Sequence, residues 1–127
     1  MITGHGIDIV DVDRFYNMDS QRLDSVAARI LSIEEHAEYT TVSDLHNKVR
    51  FVSTAWAVKE AVAKSFGTGI RDAVVWKNMI LSKTGLGQPI ITFANELVAY
   101  ANNKHCHISI SHDKGLLIAS AILSTIS

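Results

Sequence analysis

The sequence predicts a single α+β domain over residues 1–127, with a mainly antiparallel sheet packed against a long central helix. Three observations favour this class. Helical periodicity dominates the first half, strand–turn–strand patterns occupy the second, and the longest helical stretch is Ala-rich and free of Gly and Pro. A chain of 127 residues can bury one core but leaves little room for a deep private cleft. We therefore expect a site shared between subunits.

The elements of the first half follow from local signals. Residues 5–10 read as a strand that places Ile7 and Ile9 on one face and Asp8 on the other. Asp11 and Asp13 suit a helix entry. Apolar residues recur with helical spacing over residues 20–31 and predict an amphipathic helix. The members of this stripe are Leu23, Val26, Ala27, Ile30 and Leu31.

Two further helices are predicted before the midpoint. Ser32 and Glu35 form a capping-box pattern, which predicts a short helix through residues 34–39. The long helix covers about residues 47–66 and ends at Gly67, in the position of a C-terminal cap.

The second half alternates strands and turns. Residues 73–83 are rich in Val, Ile and Trp and predict a strand, residues 84–89 a turn, and residues 90–93 the returning strand. Residues 95–102 predict a modest helix. Residues 105–112 and 116–123 predict a hairpin around a tight turn at 113–115.

Composition excludes several classes of function. Twelve Lys and Arg nearly balance 13 Asp and Glu, for a formal charge of -1, so binding of nucleic acid through bulk charge is excluded. An apolar run long enough to span a membrane is lacking, and the start does not resemble a signal peptide. Cys106 is the only cysteine, which excludes an internal disulfide. We expect a cytoplasmic protein.

Asp8 is the first candidate functional residue. A carboxylate within an apolar strand must face solvent, a cation or a partner that offsets its desolvation. The alternative is that this face of the sheet is simply exposed to water.

Glu60 and Lys64 are the second candidates, because they lie four residues apart on one helix face in the favourable order for pairing. A surface salt bridge is the alternative. Their apolar neighbours indicate a largely buried helix, in which a charged pair must be stabilised by a partner. Mg²⁺ held by one or two carboxylates and by substrate phosphate oxygens would be such a partner. The neighbours are Ala57, Val58, Ala61, Val62 and Ala63.

Gly67, Thr68 and Gly69 follow that helix directly. This loop is not a P-loop, because it trails a helix instead of preceding one. A phosphate at the negative helix C-terminus would need Lys64 and a metal. Taken alone, the loop is a helix stop.

Residues 105–112 hold three histidines and the cysteine. A zinc site is disfavoured, because alternation along a strand splits His105 and His107 from Cys106 and His112. His112 is the last residue on the inward face of this predicted strand, just before a turn, where its imidazole can reach a ligand.

Together these pieces resemble one family, the small bacterial 4'-phosphopantetheinyl transferases of the holo-acyl-carrier-protein synthase type. The resemblance runs from end to end, and the ordered set of pieces is more specific than any one of them. The pieces are residues 6–10, 13–14, 29–32 with Glu35, 56–61 with Lys64, 67–69, 87–89 and 108–112.

The resemblance implies the fold of that family, a trimer, and transfer of phosphopantetheine from coenzyme A to a serine of apo acyl carrier protein, in fatty acid biosynthesis. It assigns Mg²⁺ binding to Asp8 and Glu60, with Lys64 as a pyrophosphate contact, and makes all three catalytic. It implies coenzyme A contacts for a further set. That set is Gly67, Thr68, Gly69, Gly87, Pro89 and His112.

The resemblance also places Arg14, Arg22 and Arg29 at the interface with the acidic carrier protein, although Asp19 and Asp24 dilute this positive patch. The general base stays open between a water and Glu60 acting through water.

Two cations common in the family are absent: Ala55 stands where an arginine precedes the aromatic residue, and Gln88 replaces a lysine. Arg50 and Lys59 are the candidates to compensate. Two other functions stay open, a metal-dependent hydrolase of nucleotide pyrophosphates and a trimeric binding module without catalysis.

Overall fold

The computed structural model describes residues 1–126 and confirms the α+β class. This part of the chain forms five strands and five α-helices, with one 3-10 turn at Trp76–Asn78. The strands are β1 (Ile2–Asp11), β2 (Met79–Lys83), β3 (Pro89–Phe93), β4 (Lys104–Asp113) and β5 (Leu116–Thr125). The α-helices are α1 (Asp13–Tyr16), α2 (Ser20–Ile30), α3 (Ile33–Tyr39), α4 (Leu45–Ser65) and α5 (Glu96–Ala101). Their order along the chain is β1 α1 α2 α3 α4 β2 β3 α5 β4 β5, with the 3-10 turn before β2.

Short polar side chains begin the three longest helices. Asp19 accepts a hydrogen bond from the Arg22 amide at the start of α2, and Asp44 begins α4 in the same way. Ser32 and Glu35 form the predicted capping box at the start of α3. Residues 45 and 46 extend α4 beyond its predicted start because Asp44 supplies this cap.

All strand pairings among residues 1–126 are antiparallel, but they form two sheets. The order β1-β5-β4 makes the larger sheet, and β2 and β3 make a separate hairpin. The predicted strand over residues 73–83 is wrong at its start, because residues 76–78 form the 3-10 turn and pairing begins at Met79. Asn78 explains this, since its side chain donates to the Ala73 carbonyl and holds a loop.

Helix α4 is the central helix, as predicted. Eleven of its side chains are buried, including every apolar neighbour named for Glu60 and Lys64. It packs across the inner face of the larger sheet, where it contacts both β1 and β5. In residues 1–126, no helix combines the length and apolarity that crossing a membrane requires.

Two glycines let β1 touch α4 directly. A Cβ on Gly4 would lie 1.8 Å from the Ser65 carbonyl oxygen, and one on Gly6 would lie 2.0 Å from that of Ala61. Such contacts are impossible for any side chain, so glycine sets how closely the strand and helix approach. This close approach fixes the residues that follow Gly6 in β1 against α4.

Lys59 lies on the side of α4 that faces the helices and the hairpin. Its ammonium group is completely buried and donates to the carboxylate of Glu35 at 2.6 Å and to the carbonyls of Ile30 and Trp76. The other carboxylate oxygen of Glu35 accepts from the Leu81 amide. This satisfied ion pair joins α4 to α2, α3 and β2, and Lys59 is therefore not free to replace a missing phosphate contact.

Candidate active site

Asp8 lies on the face of β1 that packs against α4. Its side chain is only 15% exposed, whereas Ile7 and Ile9 on the opposite face are 56% and 60% exposed. The alternative of a simply wetted face is therefore wrong for Asp8. The sheet turns its apolar isoleucines outward and this carboxylate inward, a reversal that the alternation of residue types does not reveal.

Glu60, on α4, lies within electrostatic reach of Asp8 on β1. Burial raises the pKa of the Glu60 carboxyl above its ordinary value, and the negative charge of Asp8 raises that pKa further. The positive charges of Lys64 and Arg14 act in the opposite direction. Two carboxylates and two cations thus lie within electrostatic reach of one another at this contact.

Lys64 does not form the predicted pair within α4. Its Nζ atom donates instead to Asp8 Oδ1 at 3.1 Å and to the Ile7 carbonyl at 3.0 Å, both on β1. The i to i+4 spacing predicted a pair with the single carboxylate of Glu60. The strand instead offers the ammonium group two acceptors, the Asp8 carboxylate and the Ile7 carbonyl. The lysine side chain is 48% exposed and stays accessible from solvent.

The chemistry of the cluster formed by Asp8, Glu60 and Lys64 fits a hard divalent cation. Two carboxylates near each other on a partly open surface are the protein ligands that Mg²⁺ takes when substrate phosphates complete its coordination. Within residues 1–126, no group of three acidic, histidine or cysteine side chains is placed to hold a metal.

The loop after α4 closes the helix. The Gly67 amide donates to the Lys64 carbonyl and the Gly69 amide to the Ala63 carbonyl, while Thr68 Oγ1 donates to the Gly69 carbonyl. These two amide groups are engaged in capping. A coenzyme A contact at Gly67, Thr68 or Gly69 remains a prediction, and it would use the open space above the two glycines.

His112 lies near the opposite end of α4, beside Arg50. The Arg50 Nη2 and His112 Nε2 atoms are 3.5 Å apart. Burial lowers the pKa of His112, and the charge of Arg50 lowers it further. Both residues line a cavity of about 400 Å³ with Tyr16, His46 and Lys114.

Gly87 and Pro89 lie at the turn between β2 and β3. The Gly87 amide donates to the Thr84 carbonyl, and the Thr84 hydroxyl accepts from the Gln88 amide. Leu86 at the tip is fully exposed. The tip of the hairpin therefore projects into solvent.

The carboxylates and His112 do not lie together in one chain. Glu60 and Arg50 are ten positions apart on α4, a rise of about 15 Å. The carboxylate cluster and the cavity at His112 are thus separate regions.

Arg14, Arg22 and Arg29 are exposed on α1 and α2. Arg14 and Arg29 both lie over the indole ring of Trp56, whereas Arg22 lies two helical turns before Arg29. Sequence reasoning found the three arginines but missed Trp56, and it did not single out Gly4 either. The signal for Trp56 was its place in the same apolar helix as Glu60.

Comparisons with known proteins agree with this arrangement. The sequence model of the 4'-phosphopantetheinyl transferase superfamily matches residues 4–122. A holo-[acyl-carrier-protein] synthase of Geobacter sp. (strain M21) is 35% identical over 126 residues, which cover 97% of this chain and 98% of the relative.

Solved structures are similar over the whole chain. The crystal structure of a holo-[acyl-carrier-protein] synthase from Neisseria meningitidis has a TM-score of 0.88 and 29% identity, covering 98% of this chain and 100% of that one. The corresponding enzyme of Bacillus anthracis, in complex with CoA (3',5'-ADP), has a TM-score of 0.81 and 30% identity, covering 100% and 99%. With its carboxylate pair in the shared fold, the chain belongs to the 4'-phosphopantetheinyl transferase superfamily and, within it, to the holo-[acyl-carrier-protein] synthases.

Proposed function

We propose that this protein transfers the 4'-phosphopantetheine group of coenzyme A to a serine of apo acyl carrier protein and releases adenosine 3',5'-bisphosphate, in fatty acid biosynthesis. One observation carries the proposal: Asp8, Glu60 and Lys64 meet at the contact of β1 and α4 in a chain related to holo-[acyl-carrier-protein] synthases over nearly its whole length.

Asp8 and Glu60 would hold Mg²⁺ together with oxygens of the coenzyme A pyrophosphate. Bound there, the cation would neutralise the negative charge that grows on the phosphoryl oxygens during transfer. The mutual repulsion of the two carboxylates supports this role, because a cation between them would relieve it.

Phosphoryl transfer requires the protein mainly to position the two substrates, not to form a covalent intermediate with them. The serine oxygen forms a bond to the β-phosphorus while the bond from that phosphorus to the bridging oxygen breaks, and the serine proton leaves. Lys64, held at the edge of the cluster by Asp8 and Ile7, would contact the pyrophosphate. The proton acceptor stays open between a water and Glu60 acting through water.

Arg50 is the cation that we expect to compensate for the two family cations that Ala55 and Gln88 replace. It lies beside His112 in the cavity of about 400 Å³, with Lys114 in the same lining. We assign a nucleotide phosphate contact to Arg50 and His112, and further coenzyme A contacts to Gly87 and Pro89 and to residues 67–69.

A homotrimer would bring these separated regions together. The outer face of the larger sheet carries four exposed apolar side chains on adjacent strands, which favours burial against further copies of the chain. They are Ile7, Ile9, Leu116 and Ile118. We place the protein in the cytoplasm, where coenzyme A and the carrier protein would meet it.

The test is to incubate the protein with apo acyl carrier protein, coenzyme A and Mg²⁺, and to measure the intact mass of the carrier. A gain of one phosphopantetheine group is expected, and chelation of the metal should abolish it. Cleavage of coenzyme A without any gain on the carrier, unchanged by Arg14→Gln, would instead indicate a nucleotide pyrophosphate hydrolase.

A further inference from the structure

The indole ring of Trp56 lies beneath two arginines that come from different helices. The guanidinium carbon of Arg14, on α1, is 4.8 Å from the centre of the ring, and that of Arg29, on α2, is 5.9 Å from it. Both distances fall within the range of about 6 Å in which a cation is attracted to an aromatic face. One side chain of α4 therefore organises charges from two other helices.

The ring itself is held in place by other aromatic groups. Phe15, which is completely buried, meets Trp56 edge-on with ring centres 6.0 Å apart, and Trp76 packs against it at 4.9 Å. A ring fixed on two sides restricts the orientations of any cation that binds its remaining surface. Arg14 and Arg29 are thus ordered before any partner arrives.

The charges of both arginines are available to a partner. Neither arginine takes part in the two ion pairs found within residues 1–126, which are Lys59–Glu35 and Lys64–Asp8. The acidic side chains near these arginines accept hydrogen bonds from other groups. Asp19 caps that helix, and Asp24 accepts a hydrogen bond from the Tyr39 hydroxyl at 2.7 Å.

We propose that Trp56 is a positioning residue for the acidic carrier protein, whose carboxylates meet the Arg14 and Arg29 guanidinium groups that the indole ring holds in place. This inference rests on the proposed function, because the carrier protein is the acceptor of the transferred group. Ordering two long side chains in advance reduces the entropy lost on docking. Arg14 is also within electrostatic reach of Glu60, so docking here brings the acceptor hydroxyl towards the carboxylates.

Steady-state kinetics with each substrate varied separately test the role. Trp56→Leu should raise the KM for the carrier about three- to tenfold, the range expected for lost cation–π contacts. The KM for coenzyme A and the kcat at saturating carrier should not change. Trp56→Phe, which keeps an aromatic face, should recover most of the affinity, and Tyr100→Leu, which removes an exposed aromatic ring distant from these arginines, should have no effect.

A double-mutant cycle measures the coupling energy between Trp56 and Arg29, which a purely structural role of Trp56 would not produce. Arg29→Gln should raise the KM for the carrier clearly in the parent protein but little in Trp56→Leu, because the two changes remove one arrangement. In a Trp76→Phe background, the fluorescence of Trp56 should change on titration with apo carrier protein alone.

The outcomes separate the inference from the function on which it rests. An unchanged carrier KM in Trp56→Leu, or fully additive effects with Arg29→Gln, would overturn the positioning role while leaving the transferase function intact. Equal increases in both KM values would also overturn it, because they would indicate general damage. If Trp56→Leu does not fold, the same double-mutant cycle is measured with Trp56→Phe and Arg29→Gln. A smaller coupling energy between the two positions is then expected, and full additivity would again overturn the positioning role. Failure of the unmodified protein to load any carrier would overturn both proposals.

Discussion

The ammonium group of Lys64 shows how a single residue connects the strand and the helix of the candidate site. It is anchored on β1 through Asp8 and Ile7, while its backbone belongs to the last turn of α4. Because it is half exposed, its ion pair with Asp8 contributes little to the free energy of unfolding. We propose that its position serves ligand binding instead.

Removing either carboxylate of the cluster should abolish transfer without unfolding the protein. We expect Asp8→Asn and Glu60→Gln each to lower kcat/KM more than 100-fold, because each removes a charge that would hold the metal. The measurement is mass analysis of the carrier, with thermal unfolding followed in parallel. Glu38→Gln, which neutralises an exposed glutamate on α3, is the control and should stay active. A fully active Asp8→Asn/Glu60→Gln variant would refute the metal assignment.

Cys106 should behave as an inert buried thiol. Burial raises its pKa to about 11, although a hydrogen bond with Ser65 acts in the opposite direction. At pH 8 the folded protein should therefore resist a thiol-specific reagent and react only after denaturation with urea. Because the unfolded thiol ionises first, stability should also fall as the pH rises from about 9 towards 11.

Rapid labelling of native protein at pH 8 would contradict this account of Cys106. Cys106→Ala provides the control for the pH dependence, since that variant should lose less stability over the same interval.

At the scale of elements, the contact of β1 with α4 depends on having no side chain at Gly6. Gly6→Ala would put a methyl group 2.0 Å from the Ala61 carbonyl oxygen, so the strand and helix must separate. We expect a loss of about 1–3 kcal/mol in the free energy of unfolding. Transfer activity should fall at least tenfold, since Asp8 moves with the strand.

Gly85→Ala is the matched control, because nothing lies within 4 Å of the added methyl group there. Urea unfolding and carrier loading measured on both variants check the prediction. Equal behaviour of the two alanine variants would show that the close approach does not position the site.

The buried pair of Lys59 and Glu35 should respond differently to single and double substitution. Lys59→Met leaves the Glu35 carboxylate buried without its countercharge and should cost about 3–5 kcal/mol. The Lys59→Met/Glu35→Leu variant should cost less, because both charges are removed together. Urea unfolding of the three proteins checks this, and a double variant less stable than Lys59→Met would contradict it.

Local elements were predictable from the sequence, whereas the contacts between them were not. The capping box at Ser32 and Glu35 and the helix end at Gly67 are encoded within a few residues, and both are confirmed. The partner of Lys59 is 24 positions away, and the partner of Lys64 is 56 positions away on another element. No short-range pattern specifies such pairs, so the structure was needed to distinguish a buried lysine from an accessible one.

The orientation of β1 in the site could not be predicted from the sequence either. Alternation placed Asp8 opposite Ile7 and Ile9, but it could not say which face meets α4. The decisive feature is Gly6, which shares the inner face with Asp8 and admits the helix. Local patterns therefore singled out the three site residues as candidates and the resemblance assigned their roles, but only the fold gave their geometry.

For the whole molecule, the exposed apolar face of the larger sheet predicts self-association. We expect light scattering after size exclusion to give three times the chain mass of 13.9 kDa. Ile9→Lys should shift the protein towards monomer and reduce transfer, because a lysine would be buried in the interface. Leu86→Lys, at the fully exposed hairpin tip, is the control and should remain trimeric. An active monomer would refute the shared site.

The formal charge of -1 also has a consequence for the whole molecule. Long-range attraction for an acidic partner is weak, so we expect recognition to depend on the local arginines of α1 and α2. Association with the carrier should weaken as salt is added, but only modestly.

Transfer of phosphopantetheine from coenzyme A to a carrier serine should depend on the Asp8–Glu60–Lys64 cluster. The direct test is the intact mass of apo acyl carrier protein after incubation with coenzyme A, Mg²⁺ and either the parent protein or Glu60→Gln. One added phosphopantetheine group per carrier is expected with the parent protein and none with the variant. No gain with the parent protein, or an equal gain with Glu60→Gln, would show that the cluster does not perform this transfer.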